Sequence, residues 1–591
     1  VSEFLSGRIN YNTRMGDFWR INASIFGTLD VLRYDAHADR LVWPMDLDQL
    51  RFKTQTRQNA VATGRFRPSR MLDKDTIPIG SIFYSVAQYE DSLYFMSRYA
   101  TYHLRSPRLE ADTVPYVLVA DAITYPDKGK VAIEDERRML PFENARLETN
   151  VTERYHHVYD ASLTIRGRYR YAGKGFIDYI DERDSAEQIK LDSIYITPPH
   201  EGNATQAYGF VTVDHNFKLS PRFHYEGKVT LDANEPYFLF QGGAQPLYTC
   251  KTMRPELLNF AARLKPDSLM IPVDFPQRDL NNEWLASGVV ISNDSTHLYR
   301  SFVSRRFRPL DRDLVRPKGF LTFNNQRGRF IMADSVLFVN TDTVAQRLEL
   351  DPQECRLFTE GDIRMPFELN RVGTKLTGRM QYDEQDTINS LRGFLDLKFH
   401  FSKEAMLFLV QVLMQNPDLD PVEERLESYK YGLRARLPYP LYSRVADQID
   451  LFGTVKDPLP QLDATISLSD VTLRWDQDNY SYVSVGRLGI GTLMGERINK
   501  KVNGYIEFIK RNAGDRMVLY LEPAPGVHYT FNYFGFTMYT TSSNQEYMKL
   551  IKKTPKRKRK QKAVGDKKAF VYQRGTSRET VQAQQRYREL Q

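Results

Sequence analysis

Polar and apolar residues alternate along this chain in runs of roughly eight to ten positions, which break at Gly, Pro or Asn-Asp and then resume. In one run Phe223, Tyr225, Gly227, Val229 and Leu231 take one side, with Arg222, His224, Glu226, Lys228 and Thr230 on the other. A period of two is the signature of a strand with one buried and one solvated face. Similar runs occupy 25–32, 116–123, 130–133, 163–171, 191–197, 217–231 and 320–339. Within 163–171, Leu163, Ile165, Gly167, Tyr169 and Tyr171 oppose Thr164, Arg166, Arg168 and Arg170.

A short motif recurs where such runs begin: Ser6-Gly7-Arg8-Ile9, Thr63-Gly64-Arg65-Phe66 and Thr377-Gly378-Arg379-Met380. Glycine there permits the tight backbone of a strand start or a bulge. The spacing is irregular, which excludes a fixed-period solenoid and fits stacked hairpins with jellyroll-like turns.

Helical patterns are few. Pro255 can open a helix over 255–264, with Leu257, Leu258, Ala261 and Leu264 on one stripe. Ser402 can cap a helix over 403–415. Asp420-Pro421-Val422-Glu423 reads as cap, first-turn proline and acid, opening a second helix towards Tyr431. The apolar stretch 405–414 is expected to be buried between β regions.

The predicted fold is therefore mainly β: an elongated array of antiparallel strands, jellyroll- or groove-like, over 1–400, with room for two subdomains. A helical hairpin at 402–435 separates it from a second β domain at 436–543, where Leu462, Ala464, Ile466 and Leu468 alternate and 517–521 should pair with 529–533. Beyond Asn544 the alternation stops, and 544–591 is expected to be a disordered or transiently helical basic tail.

Composition supports this picture. The chain has 591 residues, 41% of them apolar, with 35 Tyr and 34 Phe, residue types that suit pleated, half-buried surfaces. Charge changes the picture more. Residues 549–568 hold eleven Lys or Arg against one acid, a net of +10, so in a chain of net +8 the remainder is −2. The folded body is thus nearly neutral, and the high isoelectric point belongs to the tail.

That tail supplies the sharpest candidate site, a polyanion-binding set of Lys552, Lys553, Lys556, Arg557, Lys558, Arg559, Lys560 and Lys562. Against an anionic membrane each such cation contributes ~1 kcal/mol. Specific nucleic-acid recognition is not expected, since no aromatic interleaves the run.

Other chemistry is weak. Cys250 and Cys355 can form one disulfide or stay buried thiols. Gly486, Gly489, Gly491 and Gly495 superficially resemble a phosphate loop but lack a closing Gly-Lys-Ser/Thr, and are expected to form a turn cluster. His156, His157 and Asp160 are expected at the surface beside a turn, since adjacent strand residues point oppositely. Asp476-Gln477-Asp478-Asn479 lacks the Gly and Glu of a calcium loop and reads as a hairpin turn. No catalytic, cofactor-binding or metal-binding residue is assigned. No apolar window reaches helical membrane-spanning length. The strand pattern begins at once after Val1, which reads as a fragment or mature form, so a missing signal peptide carries no information on compartment.

The stretch Tyr116-Val117-Leu118-Val119-Ala120-Asp121-Ala122-Ile123-Thr124-Tyr125-Pro126-Asp127-Lys128-Gly129-Lys130-Val131, followed by Glu143-Asn144-Ala145-Arg146-Leu147, resembles a large envelope β protein of Bacteroidota-type bacteria. Its alternation is similar to the β-jellyroll modules of OstA-like lipopolysaccharide-transport proteins and the β-grooves of AsmA/TamB-like proteins. The resemblance covers the first 400 residues or so as pattern and transfers no functional residue. It implies a periplasmic or outer-membrane-associated, non-enzymatic scaffold, or a conduit for lipid or envelope partners. One alternative is a carbohydrate-binding or polysaccharide-active protein using Trp43, Trp284 or Trp475. Another is polyanion or nucleic-acid association through the tail.

Overall fold

The computed structural model describes residues 6–19, 25–54, 80–134, 138–198, 200, 202–294, 297–334, 346–383, 389–456, 459, 462–511, 513–563 and 569–591. The motif at 63–66 lies outside them. The fold is mainly β, built from antiparallel sheets, and divides into two compact units. One comprises 1–243 with 260–269, the other 244–259 with 270–591.

The first unit holds an eight-stranded sheet and most of a larger meander. In the meander, Phe223, Tyr225, Val229 and Leu231 are buried, as the alternation requires, but His224 of the opposite face is buried too. The run 163–171 is not one strand. His156–Gly167 and Arg170–Ile180 form a hairpin, with Gly167 opposite Arg170. A two-residue turn preserves parity, so the alternation passes through it unbroken; Tyr169, at that turn, is exposed. The helix expected over 255–264 is instead the strand Leu258–Arg263, neighbour of Leu239–Pro246. Leu258 and Phe260 are buried at period two, so sheet pairing overrides a marginal helical stripe.

In the second unit we label the consecutive strands β1 (Arg329–Ala333), β2 (Arg347–Asp351), β3 (Arg356–Ile363), β4 (Gly373–Tyr382) and β5 (Asn389–Lys398). These continue as β6 (Ile466–Asp476), β7 (Ser481–Leu493), β8 (Glu496–Ile509), β9 (Arg516–Ala524), β10 (Val527–Phe534) and β11 (Thr537–Ser542). They pair in chain order, and β9 meets β10 as expected, with Met517 opposite Tyr533 and Leu521 opposite Tyr529. β5 and β6 are direct neighbours. The sheet therefore runs straight across the helical insertion, and 436–543 is not a separate β domain.

The insertion carries three helices, α1 (Lys403–Gln415), α2 (Glu427–Arg434) and α3 (Tyr439–Phe452). The Ser402 hydroxyl accepts the Ala405 amide at 3.3 Å, the expected cap. Along α1 only Ala405, Met406, Leu409 and Leu413 are buried, while Met414 is exposed, so one face of the apolar stretch packs rather than all of it.

The helix expected from Asp420 starts only at Glu427. Residues 420–422 pair with β8 instead: Lys501 N–H donates to Asp420 O at 2.8 Å, and Val422 N–H to Asn499 O at 3.0 Å. Buried Glu424 holds this arrangement, accepting from Arg497, Asn499, the Thr454 hydroxyl and the Val455 amide. Helix α3 had a legible signal, Pro440 in its first turn and Gly453 in the left-handed region just past its end (φ 76°).

The described residues of the tail, 544–563 and 569–591, are folded, contrary to the expectation of disorder. Helix α4 (Gln545–Lys553) is capped by Asn544 and buries Tyr547 and Ile551. Strand β12 (Phe570–Arg574) pairs parallel with β11, burying Phe570 and Tyr572. Helix α5 (Ser577–Leu590) starts with a Thr576–Glu579 capping box and lays Ala583, Tyr587 and Leu590 on Tyr505 and Tyr520. Tertiary burial of two tyrosines and a phenylalanine supplies what a polar sequence hides.

Candidate anion-binding strand face

Side chains alternate across β2–β6, and the outward set is charged. Leu348, Leu350, Leu357, Met380, Leu391, Val471 and Leu473 are buried. On the opposite face, pairing register brings five residues into one row: Arg347 of β2 opposite Glu360 of β3, Glu360 opposite Arg379 of β4, Arg379 opposite Arg392 of β5, and Arg392 opposite Thr472 of β6. Four interstrand steps give this ladder a length of about 19 Å. A neighbouring row reads Glu349, Phe358, Gln381, Ser390. Between and beside the rows lies an open cavity of about 550 Å³, lined also by Arg327 and Arg329.

The central feature is Arg379 facing Arg392. Like charges directly opposite on one sheet face are unfavourable. Glycine brings the two strands close beside this pair: Gly378 faces Gly393, and a Cβ on Gly378 would sit 2.3 Å from Arg392 O. Gly378 thus marks neither a strand start nor a bulge but a close backbone approach within β4.

Carboxylates compensate from beneath. Arg379 donates to Glu360 at 3.3 Å, and Arg392 donates twice to Asp470, at 3.0 and 3.2 Å. Glu349 is ringed by Arg327, Arg329 and Arg347. The layering has a sign: Glu349 and Asp470 side chains are 10% and 14% exposed, whereas Arg379 and Arg392 are 54% and 48% exposed. Arg379 and Arg392, each more exposed than the acid that holds it (Glu360 27%, Asp470 14%), therefore form the outer layer, with donors left to meet an anion. Phe358 adds an apolar element, with the Arg329 guanidinium 4.7 Å from its ring centre.

The residues singled out by sequence fall elsewhere. Of the tail set, Lys552, Lys553, Lys556, Arg557, Lys558, Lys560 and Lys562 are exposed on and after α4. Arg559 is structural, donating to the Thr554 and Lys552 carbonyls at 2.7 Å each. The backbone of the run is pinned by His400 on Lys558 O (2.8 Å) and by Arg371 on Lys562 O (2.9 Å).

His156 and His157 do point oppositely, but His156 is buried against Glu235 O at 2.8 Å, and burial lowers its pKa. Gly489 and Gly491 lie inside β7, so the glycine cluster is mostly strand, with its turn at Met494-Gly495. Asp476–Asn479 is a hairpin turn as expected, the Asp476 carboxylate accepting the Asp478 and Asn479 amides. Trp475 donates to Gln477, and the Trp284 ring is covered by Arg278 at 4.1 Å. Cys250 and Cys355 are joined as a disulfide. Among the described residues no group of three or more His, Cys, Asp or Glu could hold a metal ion, and no helix is long and apolar enough to cross a membrane.

The ladder residues escaped sequence reading because they are scattered along the chain; the one available signal was Gly-Arg and Arg-Gly within alternating runs, at Gly378-Arg379 and Arg392-Gly393. No protein-family model matches the chain, and no curated protein matches it.

Proposed function

We propose that this chain is a non-catalytic scaffold of the bacterial envelope that holds an acidic polysaccharide along the Arg347–Thr472 ladder. The observation that carries the reading is the facing pair Arg379 and Arg392, two outward guanidinia whose repulsion a bound anion relieves. A ladder of about 19 Å suits several sugar units better than one small ion. Gln381, Ser390 and Thr472 offer amide and hydroxyl groups for sugar hydroxyls, and Phe358 offers a ring.

The Cys250–Cys355 disulfide supports an extracytoplasmic site, since such bonds persist in oxidising compartments. The resemblance to envelope β proteins points the same way. The charged lining of this cavity favours a glycan over the acyl chain of a lipid. A second reading, polyanion binding through the basic turn at 552–562, draws on its seven exposed cations.

Calorimetric titration with polygalacturonate or heparin fragments separates the two. Arg379→Gln with Arg392→Gln should weaken binding roughly 30-fold, about 2 kcal/mol for two charge-assisted contacts. Neutralising Lys556, Lys558 and Lys560 should change it little. The opposite ranking transfers the function to the tail, and no binding by the wild-type chain removes both readings.

A further inference from the structure

A second charged cleft lies apart from the ladder in the same unit, where the sheet of Leu285–Ile291, Leu298–Arg305 and Arg312–Asp313 meets 364–368. Its volume is about 500 Å³. Val290 pairs with Asp313, and the Arg364 amide donates to Leu314 O at 2.8 Å, which brings Arg364 alongside 313–316. The walls are apolar: Phe275, Pro276, Trp284, Met365, Pro366 and Phe367.

Four guanidinia and three carboxylates line this cleft, and their pairing is uneven. Arg312 is engaged by Glu368 at 2.8 Å. Asp311 is consumed inside the fold by the Tyr299 hydroxyl (2.7 Å) and by the Asn293 and Arg308 amides. Arg306 pairs with Asp313 through one carboxylate oxygen, while the other, Oδ1, is buried with no hydrogen-bond partner.

Arg316 and Arg364 have no ion-pair partner among the described residues. Arg316 lies over the Phe275 ring at 4.8 Å. Burial first, then Arg364 beside it, lowers the Arg316 pKa, and the opposing pull of Asp313 does not cancel them. One buried carboxylate, Asp313, faces Arg306, Arg316 and Arg364 together. The pocket is therefore short of negative charge and walled by apolar surface, the combination that favours an amphipathic anion.

We infer that this cleft binds a compact oxyanion, carboxylate or phosphate, on a planar apolar body: Arg316 and Arg364 take the anion, and the Phe275-Pro276 and Met365-Pro366 walls take the body, with Trp284 at the rim.

Tryptophan fluorescence tests it, with the difference between the wild-type chain and Trp284→Phe isolating the local reporter. Phenyl phosphate, benzoate and inorganic phosphate serve as probes. Saturable change with phenyl phosphate or benzoate is expected, and the tighter of the two names the anion. Inorganic phosphate should bind roughly 10-fold more weakly, lacking the apolar contact. Arg316→Gln with Arg364→Gln should weaken binding at least about 10-fold, whereas the ladder variant Arg379→Gln with Arg392→Gln should leave it unchanged. Both arginines are exposed, and an unchanged melting temperature confirms that each variant folds. Equal affinity in the Arg316/Arg364 variant, or inorganic phosphate binding as tightly as phenyl phosphate, overturns the inference.

Discussion

Arg379 and Arg392 come from different strands and meet only because β4 and β5 pair in one register, whereas Lys556, Arg557, Lys558, Arg559 and Lys560 are consecutive in the chain. Both regions concentrate positive charge on the second unit, but in different ways. Ladder guanidinia are oriented by Glu360 and Asp470 on a rigid sheet, while most of the tail cations reach into solvent from a turn. A flexible solvated cation loses rotamer freedom when it engages a ligand, whereas one already held in place loses less. Preorganisation, rather than local charge density, thus distinguishes a candidate binding surface from a merely basic one.

Each region has its own anchor, and the anchors can be cut separately. The largest effect belongs to the disulfide. Cys355 sits in the turn between β2 and β3, at the opposite end of that hairpin from the Arg347–Glu360 pair, and its bond to Cys250 spans 105 residues. On the chain-entropy account, Cys250→Ser with Cys355→Ser should cost about 4–5 kcal/mol in urea unfolding. Ladder binding should weaken with it while α5 stays docked; stability unchanged by the double substitution would show that the bond does not secure this region.

The tail's anchor is Arg586, which bonds Asp476 and buried Glu507, the nearest contacts at 2.7 Å each. Arg586→Ala should destabilise α5 docking by about 2–3 kcal/mol by leaving Glu507 without its cation. Hydrogen exchange should then rise over 577–590 and not over β2–β6. Uniform protection in the variant would mean that Tyr587 packing alone holds the helix.

A smaller effect is set by pH. Burial raises the Asp476 pKa, but hydrogen bonds from Arg586 and Asn479 outweigh it, and the net shift is downward from 3.8. A carboxyl with a depressed folded pKa stabilises the fold above its unfolded value, and the contribution is lost as pH falls through the folded one. Limited proteolysis of the C-terminal helix should therefore be constant from pH 7 to about 4 and increase below that. Release of α5 already between pH 7 and 5 would contradict the Arg586–Asp476 anchor.

Much of the fold was legible and the ladder was not, for one physical reason. Alternation is a local property, so the β9–β10 pairing and the buried face of Phe223–Asp232 could be read directly. Register is not local: nothing between Arg379 and Arg392 states that they face each other until β4 and β5 are aligned. The same limit explains Asp420, whose local pattern is a helix cap but whose backbone pairs with β8, and Leu258–Arg263, where a helical stripe became a strand. It also explains the tail, whose polar composition conceals Tyr547, Phe570 and Tyr572 in the core.

The most direct test is the salt dependence of acidic-polysaccharide binding, measured by calorimetry on the intact chain, on Arg379→Gln with Arg392→Gln, and on Lys556→Gln with Lys558→Gln and Lys560→Gln. The slope of log affinity against log salt should become shallower by about 1.5 in the ladder variant, at roughly 0.7–0.9 per lost cation contact, and stay unchanged in the tail variant. A slope that falls with the lysines and not with the arginines would place the binding surface on the tail and contradict the ladder assignment.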